Sequence, residues 1–158
     1  MTAPSLSASP AATTAAGPGP FTVLLPAGLP LINSNQRIHH HMRAQRTRLI
    51  RDAAHQATTE HAELMTALTA ATPGALFGRA HVLGILHPPS NRRADPANWY
   101  PSFKAAIDGL VDAGLLDDDD HEHLVGPDIR LREKRKGGQL TLIISGLRPG
   151  EDPLGVTG

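Results

Sequence analysis

Four aspartates in a row, Asp117–Asp120, follow a helical stretch that has just ended, and no other feature limits the folding of the chain as much. Trp99, Phe103, Ile107 and Leu110 recur at the spacing of one helix face that reaches to about Ala113, and Gly114 is a natural C-terminal stop. A helix C-terminus carries partial negative charge, so carboxylates just beyond it are disfavoured. Neighbouring like charges ~4 Å apart repel by about 1 kcal/mol in water and by about 4 kcal/mol at an effective dielectric of ~20. A bound divalent cation reverses the sign of that interaction. Mg²⁺ takes oxygen ligands, often from only a few carboxylates, and completes its shell with water and phosphate. On a phosphodiester such an ion polarises the phosphate and activates water for hydrolysis.

The partner carboxylate is Asp95, ahead of the same helix and just after Arg92 and Arg93. The stretch from Arg92 to Asp120 therefore asks for a chain reversal. A helix from Trp99 to Ala113 is about 22 Å long at ~1.5 Å per residue. The path from Gly114 to Asp120 spans at most roughly 20 Å at ~3.3 Å per residue. A loop running back along the helix nearly closes that gap, and the chain before Asn98 bends to meet it. Asn98 is expected as the N-cap, with Pro101 in the first turn. Lys104 shares a helix face with Pro101, Tyr100 and Ala97, so it points to the side of Asp95, where a lysine holds a phosphate or stabilises a leaving oxygen. Each feature alone has a plainer reading. An acidic run is more often a solvated loop, Asp95 a turn residue, and Lys104 an exposed lysine.

The rest of the chain supplies a frame. Phe21–Leu25 is a short apolar run ended by Pro26, a first strand, and Pro26–Asn35 is a loop. A helix is expected from about His41 to about Ala71, with a break near Thr58-Thr59 and an apolar stripe of Leu49, Ala53 and Ala57, then Leu64 and Leu68. Arg79–His87 reads as a buried strand weakened by Gly84. After the acidic run, residues 128–133 alternate, as do residues 140–145, and Lys136-Gly137-Gly138 between them predicts a hairpin. The order is β-α-β-α-β-β. The fold class is α/β (α+β), a single domain with a mixed sheet covered by two helices. The domain covers residues 20–147. Residues 1–19 are an Ala/Pro-rich tail too poor in core residues to order, and residues 148–158 a flexible C-terminal tail.

Formal net charge is zero, but the charge is segregated. Arg37, Arg43, Arg46, Arg48 and Arg51 lie close to His39, His40 and His41, while the acids gather at Asp117–Glu122. Distribution decides what a surface attracts. The histidine run could take a transition metal; in this Arg-rich setting phosphate contact is the preferred reading. No cysteine is present, which excludes disulfides and thiolate metal sites and suits a reducing cytoplasm. No stretch approaches the ~18 apolar residues of a membrane span, and the first residues lack the basic start and apolar run of a signal peptide.

Taken in order, NSNQR, RRADPAN, KAAIDGLVDAGLL with its following acids, a basic strand, Gly-Gly and a last apolar strand resemble the RusA family of Holliday-junction resolvases, especially forms carried by phages and prophages of high-GC bacteria. The resemblance covers about residues 21–147. It implies a RusA-like fold and a homodimer that binds four-way DNA junctions and cuts them symmetrically with Mg²⁺, or Mn²⁺ in its place, in DNA recombination and repair. The family's metal site uses two aspartates spaced Asp-x-Asp before the second helix and one in an acidic pair after it, with a lysine early in that helix. The first aspartate matches Asp95; the second falls on Ala97, a departure, with Asn98 as the next matching residue. The lysine matches Lys104, though three extra residues lie between Asn98 and Lys104. The last aspartate matches Asp119 counted from Gly114 and Asp120 counted back from Val125, with Asp118 also a candidate. The implied catalytic set is Asp95, Lys104 and Asp119; the metal set is Asp95, Asp119 and Asp120, with Asp118 and Asn98 as further candidates. Asn35, Arg37, Arg43, Arg46, Arg92 and Arg93 are the expected DNA contacts. The alternative is a branched-DNA-binding protein whose catalysis is weakened by Ala97.

Overall fold

A computed structural model describes residues 19–156. The expected Ala/Pro-rich tail lies almost wholly outside them. The element order is β1 (Phe21–Leu24), α1 (His40–Thr59), α2 (Ala62–Ala71), β2 (Ala80–His87), a 3-10 turn (Pro96–Trp99), α3 (Tyr100–Asp112), β3 (Leu124–Leu131) and β4 (Gln139–Gly146). The expected break in the long helix falls between Thr59 and Ala62. There the His61 ring accepts the Leu64 N–H at 3.2 Å and caps the second segment.

The sheet is mixed and has four strands in the order β1-β4-β2-β3. β4 pairs antiparallel with β1 and with β2, and β3 pairs parallel with β2. This corrects the expected hairpin: β3 and β4 are not neighbours, because β2 lies between them. The turn residues are real, with Gly137 and Gly138 at φ 79° and 77°. They serve a loop that crosses the end of β2, where Arg132 N–H donates to Leu86 O and Arg135 N–H to Pro88 O. β3 reaches its place through a β2–α3–β3 crossover, the connection a parallel pair requires.

One sheet face is packed. Val23 of β1, Val82 and Leu86 of β2, and Leu140, Leu142 and Ile144 of β4 join Ile50, Ala54, Phe103, Ile107 and Leu110 in a single core. Gly84 is the residue that lets α3 settle: a Cβ there would stand 2.6 Å from the Phe103 ring. Gly109 does the same between helices, since its Cβ would meet Arg51 O at 2.3 Å. The buried stripe of α1 is Ile50, Ala54 and Thr58, one residue on from the expected Leu49, Ala53 and Ala57. Leu49 is 45% exposed. The close α1–α3 approach explains the offset, because it needs the small Ala54 opposite Gly109.

Asn98 is not the N-cap. Asp95 caps the 3-10 turn, its Oδ1 accepting the Ala97 N–H at 3.0 Å, and α3 continues from Tyr100 with Pro101 in its first turn. Beyond β4, Arg79 ties down part of the C-terminal segment by donating to Glu151 O at 3.3 Å. Among the described residues no helix is long and apolar enough to cross a membrane.

Candidate metal and nucleic-acid site

The acidic loop is anchored before it reaches its aspartates. Gly114, at φ 94°, ends α3, and Leu115 N–H returns to Leu110 O at 3.1 Å. Leu115 and Leu116 are buried. Leu76 N–H donates to Gly114 O and Phe77 N–H to Leu115 O, so the loop begins stitched to the segment before β2. From this anchor the chain turns back along α3.

The reversal brings Asp119 to Lys104. Lys104 Nζ lies 2.7 Å from Asp119 Oδ2 and 2.7 Å from Asp108 Oδ1. The hydrogen bond from Lys104 holds the Asp119 carboxyl below the usual carboxylate range, against the opposing effect of burial. Partial burial works most strongly against the Lys104 charge. The hydrogen bonds to Asp108 and Asp119, with their charges, outweigh it and hold the ammonium above the ordinary lysine value.

Asp120 turns elsewhere. Its Oδ1 lies 2.6 Å from His123 Nδ1 and accepts the Glu122 N–H at 3.0 Å. Hydrogen bonding with His123 lowers the Asp120 carboxyl and raises the His123 imidazole from their ordinary values. Asp118 Oδ1 accepts the Asp119 N–H at 2.7 Å.

At the start of α3, Asp95 and Asn98 line a cleft of about 250 Å³ with Asn33, Asn35, Arg92, Arg93 and Trp99. Two walls of that cleft are joined through Asn98, whose backbone carbonyl accepts both the N–H and the hydroxyl of Ser34 at 2.8 Å. Inside the Asn-rich loop, Asn33 Oδ1 accepts the Asn35 N–H at 2.8 Å, and Gln36 Oε1 accepts the Asn33 N–H at 3.0 Å. Asn35, Arg92, Arg93, Asp95 and Asn98 are thus gathered in one place. Arg43 is not among them: it lines a separate groove on α1 with His40, Arg48 and Arg51. Arg46 donates to Leu31 O at 3.4 Å, and Arg37 is exposed.

Among the described residues, one group of three metal-type side chains has its ligand atoms within 4.8 Å of one another, and it is His39, His40 and His41. Asp95, Asp119 and Asp120 do not form such a group. Their oxygens are of the hardness Mg²⁺ takes. One of the three, Asp119, already holds a cation in the form of the Lys104 ammonium.

Three features escaped the sequence reading. Asp108 sits four residues after Lys104, the spacing of helix neighbours, and that spacing was legible. Ser102 is buried and exchanges two hydrogen bonds with the Ile32 backbone. Asp128 shares a cleft of about 670 Å³ with Ala97, Tyr100 and Pro101, and its Oδ2 lies 2.6 Å from His81 Nε2. No local pattern announces the last two, since each depends on a partner 47 or more residues away.

No protein-family model matches the chain. No curated protein matches it either.

Proposed function

We propose that this chain is a Mg²⁺-dependent endodeoxyribonuclease acting on branched DNA, four-way junctions included, as a homodimer. The observation that carries the reading is the partly buried contact of Lys104 with Asp119, 2.7 Å across a chain reversal. It lies on the helix whose entrance carries Asp95 in a cleft with two arginines. Asp119 and Asp95 would hold the ion, with Asp120, Asp118 or Asn98 completing the protein ligands. When bound, the ion supplies Lewis acidity and an activated water. Lys104 stabilises charge on the scissile phosphate. Asn35, Arg92 and Arg93 grip the DNA backbone beside it, and Arg37 ahead of α1, with Arg43 and Arg46 on it, extend the basic surface. Two copies related by a two-fold axis would present two such sites to opposed strands of a junction.

A second reading has its own support. Asp95, Asp119 and Asp120 do not draw within 4.8 Å as a group, and Ala97 stands where the resemblance has an aspartate. Both favour a branched-DNA-binding protein with weakened catalysis. Purified protein incubated with a synthetic four-way junction and Mg²⁺ or Mn²⁺ separates the two. The nuclease reading expects paired nicks that Asp95→Asn abolishes. Tight, salt-sensitive junction binding without nicks would leave the binding protein.

A further inference from the structure

The cleft at the entrance of α3 is lined by Trp99, the single tryptophan of the chain. Trp99 also packs against the core. Its indole Nε1 is buried and has no hydrogen-bond partner among the described residues. Buried donors in this position are uncommon, because most find an acceptor in the protein or in ordered water. Close by, Asn35 and Asn98 hydrogen-bond within the described residues through their backbone groups alone, so their side-chain amides are unengaged. Arg92 and Arg93 are exposed on the same cleft. The walls are fastened to each other at two points. Ser34 gives both its N–H and its hydroxyl to Asn98 O, and Ser102 exchanges two hydrogen bonds with the Ile32 backbone. Walls held in advance lower the cost of taking up a ligand.

The occupant follows from the chemistry of the lining. A volume of about 250 Å³ is below the ~300–1,000 Å³ of ordinary ligand pockets, so the cleft suits one small group. Two guanidinium groups favour a phosphate. Asp95 in the same lining makes a bare anion a poor occupant. An asparagine amide presents a donor beside an acceptor, the pattern found on the edge of a nucleobase. An indole offers a face on which a base stacks. Inside a duplex those edges are paired and those faces stacked, so only a nucleotide outside the stack offers both. We propose that this cleft takes one unpaired nucleotide of a DNA strand. The base lies against Trp99 with its edge on the Asn35 and Asn98 amides, and the adjoining phosphates meet Arg92 and Arg93. This rests on the branched-DNA reading above and names what is bound there, since bases leave the stack most readily at a branch. It requires no metal ion. The plainer alternative is a groove that grips phosphates alone.

The test uses the full chain in a buffer with a metal chelator, so that no strand is cut, and reads Trp99 fluorescence. A short mixed-sequence single strand is compared with an abasic strand of equal length, with its own duplex and with free thymidine monophosphate. The base-bearing strand should quench Trp99 and bind about tenfold more tightly than the abasic one, as one stacked base would give. The duplex and the free mononucleotide should leave the fluorescence nearly unchanged at the same concentration. Anisotropy of labelled strands then sorts the variants, each first shown to be folded by thermal unfolding. Arg92→Ala should weaken both strands by the same factor, and Asn98→Ala only the base-bearing one. Equal affinity for the two strands, or an equal response to the duplex or to the mononucleotide, overturns the nucleotide subsite and leaves the branched-DNA reading standing. Absence of binding by any DNA, four-way junctions included, overturns both.

Discussion

Ser102 and Ile32 exchange two hydrogen bonds across the core: the Ser102 hydroxyl donates to Ile32 O at 2.8 Å and accepts from Ile32 N–H at 2.7 Å. Both residues are fully buried. One serine on α3 thus carries the loop that presents Asn33 and Asn35, while Asp95 caps the 3-10 turn that leads into the same helix. Replacing it with alanine leaves a buried N–H and a buried C=O without partners. Ser102→Ala should cost about 2 kcal/mol of unfolding free energy. A chemical denaturation curve measures this, and a loss under about 0.5 kcal/mol would show that the loop has another support.

Gly109→Ala tests the helix contact. Its new methyl would meet Arg51 O at 2.3 Å and the Ala54 Cβ at 2.8 Å, and neither can swing aside as a flexible side chain would. Overpacking of this kind costs about 1–3 kcal/mol. Alanine is otherwise the better helix former by about 1 kcal/mol, so a more stable variant would mean that α1 and α3 are further apart than described.

The Asp119 carboxyl is held below its ordinary value, first by the Lys104 hydrogen bond. A carboxylate lowered on folding stabilises the fold above its unfolded pKa of about 3.9, and that contribution is lost as pH falls through the lower folded value. In a metal-free buffer, Asp119→Asn should therefore cost stability near neutral pH and progressively less in acid. Unfolding midpoints of the two proteins that stay equally far apart from about pH 6 to about pH 3 would contradict this.

His123 has the opposite sign. Its imidazole is raised, first by the hydrogen bond with Asp120. Its pairing is at full strength below the unfolded histidine pKa of about 6.5 and fades as pH rises through the folded value. A nuclear magnetic resonance titration of the His123 ring should show a midpoint above the ordinary one. Asp120→Asn should bring that midpoint back down.

Arg92 and Arg93 are exposed on the rim of the Asp95 cleft. If they meet phosphates, each alanine replacement should weaken junction binding and lower the salt slope by about one. An unchanged slope for both would move the DNA path to the α1 groove at Arg43 and Arg48.

The sequence revealed the elements better than their partners. Strand, helix and turn each left local marks: alternation at residues 140–145, the helix face of Phe103, Ile107 and Leu110, and Gly114 at the stop. The hairpin failed because Lys136-Gly137-Gly138 signals a turn without saying which strands it joins. Pro127, inside β3, marked that strand as an edge but did not say which strand it lies against. A proline lacks the N–H for a second ladder, and that confines its strand to a sheet edge. Asp95 shows the same limit at the site. Asp followed by Pro is the pattern of a cap followed by the first helical residue, and Asp95 serves as that cap. The Lys104–Asp119 pair is not part of the charge argument, which places the lysine on the side of Asp95 as a phosphate contact. The distances among the acids had no local cause to read.

Among the described residues, β4 is the last strand made and an inner one: β1 joins the sheet only through it, and β2 has it as one of two neighbours. A chain leaving the ribosome with residues up to 138 has β1 with no strand to lie against. Synthesis must run essentially to Gly146 before the domain can close. Any message cut short upstream of that point yields an unfinished sheet, not a smaller working protein.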